Sequence, residues 1–259
     1  MAIPASISWA DEPEPIRLCT DDNFFAPLTF VLEGEAVGTH VGLTREAILR
    51  NGRAVDVTAL PWTRCLNAAA RGAFDGVVSA SYREDRTEQF LYPEGAADAA
   101  DEAAFLSRAR DVVIVRAGTE YEGNGSRFSL PQPVGVPLGY NFSDLLKERD
   151  TVVQSAKSFD SLFKMLERGR VASVVVMSDV ADIYLREPAY RGRLKILPTA
   201  DHQASYYLMF SRKGTVSQTE AEAIWQQLLD VRSEPVTLTQ IRAEAEQQLK
   251  QLLSSPEPE

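Results

Sequence analysis

From residue 16 to residue 81 the apolar residues switch period repeatedly. Short β-type runs at 16–20, 54–60 and 77–78 alternate with helical-period runs at 42–51 and from Pro61 to Arg71, and Gly52 and Gly72 stop the two helices. Strand, helix, strand, helix, strand in that order requires a parallel sheet with crossover helices, because parallel neighbours cannot be joined by a tight turn. The fold class is therefore α/β. Open α/β sheets bind ligands beyond the C-terminal ends of their strands. The third strand, Val77-Val78, follows an Asp75-Gly76 turn and leaves through Ser79, Ser81, Arg83 and Arg86, so this exit is a candidate site. Taken alone, the same stretch also reads as a solvated charge run.

A second unit of the same kind follows. Residues 112–115 and 133–137 read as strands, with a turn-rich loop at 117–127 between them. Leu138 to Asn141 turns into a helix over about 142–149, capped by Asn141 or Ser143, and its exposed amides suit an anionic group. A short strand at 152–153 precedes a helix opened by Ser158, whose Phe159, Leu162, Phe163 and Leu166 share one face before Gly169. Residues 171–177 are almost wholly apolar, as in a strand covered on both faces, and end at Ser178-Asp179. Asp179 either caps the next helix or faces a cleft. The two units repeat a glycine-stopped helix followed by a buried strand, which implies two similar lobes with a cleft between them.

The remaining segments add detail. Phe24 and Phe25 stand together in the polar loop 21–27, either both in the core or with one facing the cleft. Residues 29–33 with Gly34 form a strand or hairpin arm, and 95–108, rich in alanine and acids, an exposed helix or an ordered insertion. Strands are expected at 194–197 and 205–210. Capping boxes at Thr219–Glu222 and Thr237–Gln240 open two final helices, and 254–259 is expected to fray.

Composition excludes several classes. With 259 residues, 44% apolar, the chain can bury a sizeable core. A net charge of −10 and the lack of a basic stripe argue against nucleic acid as a partner. No apolar run approaches the ~18 residues of a membrane span, and no Walker loop or GxGxxG supports a nucleotide cofactor. The start lacks a basic and an apolar region, so the protein is either cytosolic or a signal peptide has been removed. Two cysteines and two histidines are scattered without metal-ligand spacing. Cys19 and Cys65 fall on neighbouring elements, either bridged or as two buried thiols.

In sequence order the chain carries Phe25-Ala26-Pro27, Pro61-Trp62-Thr63-Arg64, Gly72-Ala73-Phe74-Asp75, Asp85-Arg86 before Phe90-Leu91-Tyr92-Pro93, Gly135 to Gly139, and Leu166 to Val171 followed by Ser178-Asp179. This ordered set resembles the periplasmic solute-binding proteins of the polar amino acid type (family 3), from about Ile16 to the final helices. The resemblance implies a type II periplasmic binding protein clamp of two lobes, each a mostly parallel sheet flanked by helices, with two hinge crossings. Lobe one would hold residues 1–112 and 204–259, and lobe two residues 113–203. The implied ligand is an amino acid or related carboxylate, with no cofactor and no metal. Arg86 would hold its carboxylate through a two-donor fork, and Asp179 would take its ammonium. Phe25 would cover its side chain beside Trp62, and Tyr140 and Asn141 would supply hydroxyl and amide groups. Ser79 keeps its place, whereas Ser81 or Tyr82 replaces a displaced second hydroxyl, because the stretch from Asp75 to Arg86 is one residue shorter than usual. Asp22, in the loop beyond the first strand, joins the candidate set. Ala172 stands where many members carry an aspartate.

These relationships imply an extracytoplasmic monomer that closes on its ligand by hinge motion, possible delivery to an ABC permease, and no catalysis. Two alternatives remain within the same fold. One is a dehydratase acting on a cyclic amino acid precursor, with Asp179 or Glu84 as its acid or base. The other is a sensor module that delivers nothing.

Overall fold

The computed structural model describes residues 14–121, 129–147 and 151–254. The far part of the 117–127 loop, the end of the 142–149 helix and the tail beyond Ser254 lie outside them. The first unit runs β1 (Ile16–Asp21), β2 (Phe30–Leu32), β3 (Glu35–Val37), α1 (Thr39–Arg50), β4 (Val55–Leu60), α2 (Trp62–Ala70) and β5 (Gly76–Ser81). A 3-10 turn (Glu84–Arg86), β6 (Phe90–Leu91) and β7 (Phe105–Arg116) come next. Then follow β8 (Val134–Pro137), α3 (Asn141–Lys147), β9 (Val153–Ala156), α4 (Phe159–Glu167), β10 (Ser173–Met177) and α5 (Ser178–Arg186). The chain returns through β11 (Leu194–Ser211) and ends with α6 (Gln218–Ser233) and α7 (Pro235–Ser254).

One sheet carries the order β4-β1-β5-β11-β7-β10-β8-β9, with β6 on β11, while β2 and β3 form a separate hairpin. β1 is parallel to both β4 and β5, and β8 is parallel to both β9 and β10. Between these parallel sets lie β7 and β11, antiparallel to each other from Leu194 opposite Arg116 to Tyr207 opposite Phe105. β11 also pairs with β5, and β7 with β10. The two strands are thus the two crossings between lobes, and the fold is the two-lobed α/β clamp expected from the motif order.

Each lobe has its own core. α1 and α6 cover one face of the first lobe with Ile48, Leu228 and Trp225 over Leu18, Val78 and Phe210. In the second, Phe159, Leu162, Phe163 and Leu166 of α4 pack on Ile114, Val174 and Val176. α2 and α4 end in the same way. Gly72 and Gly169 sit at φ 84° and 71°. The next amide reaches back to the carbonyl five residues earlier, Ala73 to Ala68 and Arg170 to Met165. That is the glycine-dependent Schellman closure, which releases the chain directly toward β5 and β10.

Asp75, expected in a turn, is instead a buried knot. One carboxylate oxygen accepts from the Arg17 amide at 2.8 Å, the other from the Thr215 amide at 2.8 Å and its hydroxyl at 3.0 Å. It ties the chain entering β5 to β1 and to the segment before α6. Cys19 and Cys65 form a disulfide that links β1 to α2.

Several expectations are corrected. Residues 95–108 contain no helix: 105–108 open the long β7, because pairing with β11 outweighs the helix preference of an alanine-rich run. The separate strands at 194–197 and 205–210 are one strand, β11. Pro61 is the N-cap of α2 rather than its first helical residue. α6 is capped by Ser217, whose hydroxyl accepts from the Glu220 amide, two residues earlier than the expected box. α7 starts at Pro235, which suits a first helical position, and places Thr237 inside its first turn. Asp179 caps nothing; Met177 is the N-cap of α5, without a side-chain bond.

The disulfide closes a sequence separation of 46 residues, for which chain-entropy arguments give about 2–4 kcal/mol. Replacing both cysteines by serine should lower the melting temperature by roughly 5–15 °C, read by circular dichroism in non-reducing buffer. An unchanged melting temperature would mean that the bridge does not constrain the fold.

Candidate functional site

A cavity of about 260 Å³ lies between the lobes, beside the crossing strands. The first lobe supplies Asp21 and Phe25 from the end of β1 and its loop, Trp62 from α2, and Ser79, Ser81, Tyr82 and Arg86 from the exit of β5. The second supplies Pro137, Tyr140, Asn141 and Phe142 at the start of α3, and Val175, Val176 and Met177 at the end of β10. Asp111, Gln203, Ser205 and Tyr206 contribute from the crossing strands.

Arg86 is the cation of this cavity. It is 9% exposed; its Nη1 donates to the Ser81 carbonyl at 3.2 Å, and its guanidinium lies 5.6 Å from the Trp62 ring centroid. Asp85, its neighbour in sequence, pairs instead with Arg83 at 2.7 Å. Among the described residues no carboxylate forms an ion pair with Arg86. Burial lowers its pKa, opposed by the Tyr92 hydroxyl, which burial in turn pushes up to about 12. A desolvated guanidinium with open donors favours an anion that can fill them.

Ser79 stands at φ 71°, a backbone conformation uncommon outside glycine. His40, fully buried at the start of α1, holds it: Nδ1 lies 2.8 Å from Ser79 Oγ and Nε2 2.6 Å from Ser107 Oγ. Burial drops the imidazole pKa to about 3, so the ring is neutral and has one donor and one acceptor for the two serines. His40 carries no local signal in the sequence, because its partners lie 39 and 67 residues away. Phe25, 3% exposed, stands edge-on to both His40 and Tyr206 and lines the cavity, while Phe24 packs edge-on against Phe30.

Among the described residues four side-chain hydrogen bonds join the lobes beside the cavity. Tyr140 donates its hydroxyl to Asp21 Oδ2 at 2.7 Å, Trp62 its indole N–H to the Gly139 carbonyl at 3.1 Å, and Asn141 its amide to the Tyr82 carbonyl at 3.1 Å. Asn23 donates to the Lys157 carbonyl at 3.2 Å. Burial raises the Asp21 pKa against the lowering effect of Tyr140 and Asn23; the Tyr140 hydroxyl is pushed well up, first by burial and then by the Asp21 charge. Thr29 Oγ1 and Asn141 Oδ1 are buried without a hydrogen-bond partner.

Seven of the nine expected ligand residues, Arg86, Phe25, Ser79, Ser81, Trp62, Tyr140 and Asn141, line one cavity. The other two do not. Asp22 is exposed and outside it, and Asp21 takes that wall, because β1 extends one residue further and turns its last side chain inward. Asp179 lies in the first turn of α5, along a polar depression with Arg108, Arg110 and Ser178 that meets the cavity at Gln203, and its charge adds to burial and to Asp111 in raising the pKa of Tyr206 on the cavity wall. Burial raises the pKa of Asp179, and the charge of Asp182 adds to that. The strand-end position facing the cavity is Met177.

The 94–104 segment, to which sequence reading gave no role, closes another side of the cavity with Ala96, Ala97 and Ala99. Arg108 pins it through Asp101 and through the Ala99 and Ala100 carbonyls, the latter at 3.1 Å. Tyr207 donates to the Ala96 carbonyl at 3.4 Å. No metal-binding group of His, Cys, Asp and Glu exists among the described residues, and no helix among them is long and apolar enough to cross a membrane.

No family model matches the chain, and no curated protein matches it by sequence. Solved structures do. The arginine-, lysine-, histidine-binding protein ArtJ from the thermophilic bacterium Geobacillus stearothermophilus is 16% identical, with a TM-score of 0.71 over 89% of this chain and 94% of that one. An ancestral arginine-binding protein bound to glutamine is 22% identical, with a TM-score of 0.71 over 90% and 97%. A histidine kinase sensor domain with similarity to periplasmic binding proteins is 18% identical, with a TM-score of 0.73 over 90% and 96%. The architecture built from the strand order is therefore that of the two-lobed periplasmic binding proteins.

Proposed function

We propose that this protein is an extracytoplasmic solute-binding protein that captures a small amino acid-like or carboxylate solute between its lobes for an ABC transporter. The observation that carries the reading is Arg86, a buried cation on the cavity wall with no carboxylate paired to it among the described residues. Lobe one comprises residues 1–112 and 204–259, and lobe two residues 113–203. Arg86, Ser79, Ser81, Phe25 and Trp62 load the solute on lobe one. Tyr140 and Asn141 engage it as the lobes close about β7 and β11, the differential contact that drives hinge closure. The protein acts as a monomer and makes or breaks no bond. Asp179 and Glu84, which a dehydratase would use, do not line the cavity. The disulfide supports an oxidising compartment. Similarity to ArtJ, an arginine-, lysine-, histidine-binding protein, supports an amino acid-like solute, whereas similarity to the kinase sensor domain favours a second reading, in which closure on the same solute is sensed rather than followed by delivery.

A thermal-shift panel of amino acids, their derivatives and small carboxylates, followed by calorimetry on the hits, tests the reading. Arg86→Met should weaken any hit by about 100-fold or more. Because the native cation is desolvated without a paired anion, the same change should leave the melting temperature of the protein without added solute unchanged or higher. Undiminished affinity would remove Arg86 from the site.

The lobe-to-lobe bond at Asp21 has a defined pH signature. Burial raises this carboxyl's folded pKa above its unfolded value. Its contribution to stability is therefore greatest below the unfolded pKa and is lost as pH rises through the folded one. Asp21→Asn keeps an oxygen acceptor for Tyr140 and removes the buried charge. It should melt at the same temperature as the wild type or a few degrees higher at pH 7. The gap should shrink on acidification toward pH ~4. A gap that widens in acid would show the ionised carboxylate to be the stabilising form.

A further inference from the structure

The Arg86 reading implies a carboxylate, and the rest of the cavity wall bears on what that carboxylate is attached to. A protonated α-amino group taken out of water needs acceptor oxygens, best of all a carboxylate with lone pairs to spare, because an unpaired buried charge is far costlier than an unpaired hydroxyl. Among the described residues the closing lobe offers no such carboxylate to the cavity. Its lining side chains are Pro137, Phe142, Val175, Val176 and Met177, with Tyr140 and Asn141 as the polar exceptions. The acid expected at this strand exit, Asp179, is two residues further on, in the neighbouring depression. Met177, 2% exposed, presents a thioether at the strand end instead.

Two carboxylates reach the cavity from elsewhere, and both have partners. Asp21 Oδ2 accepts the Tyr140 hydroxyl at 2.7 Å, and Oδ1 accepts the Asn23 amide at 3.2 Å. Asp111 is engaged in an interaction of its own. The far wall is also uncharged, since the alanines of the 94–104 segment are held in place while Asp98, Asp101 and Glu102 stay exposed. Thr29 and Asn141, whose side-chain oxygens lack partners, are positioned to meet a neutral polar substituent.

We infer that the cleft selects a carboxylate with an apolar body and a neutral α-substituent, hydroxyl or hydrogen, over the zwitterionic α-amino acid of the same shape, with Met177 as the residue that sets this preference. The inference rests on the reading of Arg86 as the carboxylate anchor and goes beyond it by excluding the ammonium.

Matched pairs that differ only at the α-position test it: L-leucine against (S)-2-hydroxy-4-methylpentanoate, and L-phenylalanine against (S)-3-phenyllactate, titrated by calorimetry into the full-length protein. The hydroxy acids should bind at least about tenfold tighter than the amino acids. Met177→Asp should reverse or abolish that preference, and Asp179→Asn should leave the wild-type ratio unchanged. Should Met177→Asp fail to fold, the wild-type ratios and Asp179→Asn decide alone. Amino acids binding as tightly as the hydroxy acids or tighter, above all with loss in Asp179→Asn, would overturn the inference and leave the solute-binding reading standing. Silence from both pairs alongside an Arg86-dependent hit of another class would do the same. Silence from both pairs and from the whole carboxylate and amino acid panel would overturn the anchor reading as well.

Discussion

The antiparallel ladder between β7 and β11 is the constraint on which the molecule depends. Both strands are shared: β11 gives its later residues to β5, and β7 gives its later residues to β10, so each lobe's sheet is completed by the strand that enters it from the other. A backbone path between two domains would ordinarily expose unpaired N–H and C=O groups. Here the two crossings satisfy one another. The ladder shifts register twice, between Tyr206 and Tyr207 and, more widely, where β11 advances from Leu197 to His202 while β7 advances only from Val113 to Asp111. An irregularity of this kind bends a strand and relaxes its pairing. The wider shift lies beside Asp111 and Gln203, which line the cavity, so the most deformable stretch of the crossing adjoins the place where the solute is proposed to bind.

Rigidity on either side of that point has separate sources. In the first lobe Asp75 and the Cys19–Cys65 bridge fix the chain around β1 and β5, and His40 fixes Ser79 at the β5 exit. Both tasks fall within one sixteen-residue stretch, 75–90. Its first residue is scaffold, its middle is strand, and its arginine is the exposed-looking charge that the fold buries. Arg83 and Asp85, adjacent in sequence and just as charged, pair with each other near the surface. Three positions along the chain, from Arg83 to Arg86, decide between a surface ion pair worth little and a buried cation with a cavity in front of it.

Periodicity made the elements legible because the interactions that define them are local. Glycine-stopped helices and wholly apolar strands announce themselves within ten residues, and the alternation alone requires a parallel sheet. What could not be read depends on partners far away in sequence. Residues 105–108 become strand because β11 lies alongside, though the preceding alanine-rich run reads as helix. Ser217 rather than Thr219 caps α6 because docking on β11 through Trp225, whose indole donates to the Leu208 carbonyl at 2.8 Å, sets where the helix begins. In the site, the resemblance brought seven residues to one cavity but misplaced both aspartates by small offsets: Asp21 for Asp22, and Met177 at the place expected of Asp179. On β1 the one-residue offset turns Asp22 away from the face that Asp21 takes, since successive side chains point to opposite faces, whereas Asp179 falls beyond the end of β10, in the first turn of α5.

Closure is the remaining link between this architecture and selectivity. The four lobe-to-lobe hydrogen bonds each replace bonds to water, so each is worth only about 1 kcal/mol net. Their sum leaves the lobes within reach of a modest bias. A solute therefore shifts the balance through what it gains on the closing face alone, and affinity earned on the first lobe contributes nothing to closing. On that face an apolar body gains from Val176, Met177 and Phe142 as water leaves, whereas an ammonium would lose its hydration without recovering it. On the proposed reading Arg86 fixes where a carboxylate lands, and the second lobe fixes whether its arrival is followed by closure.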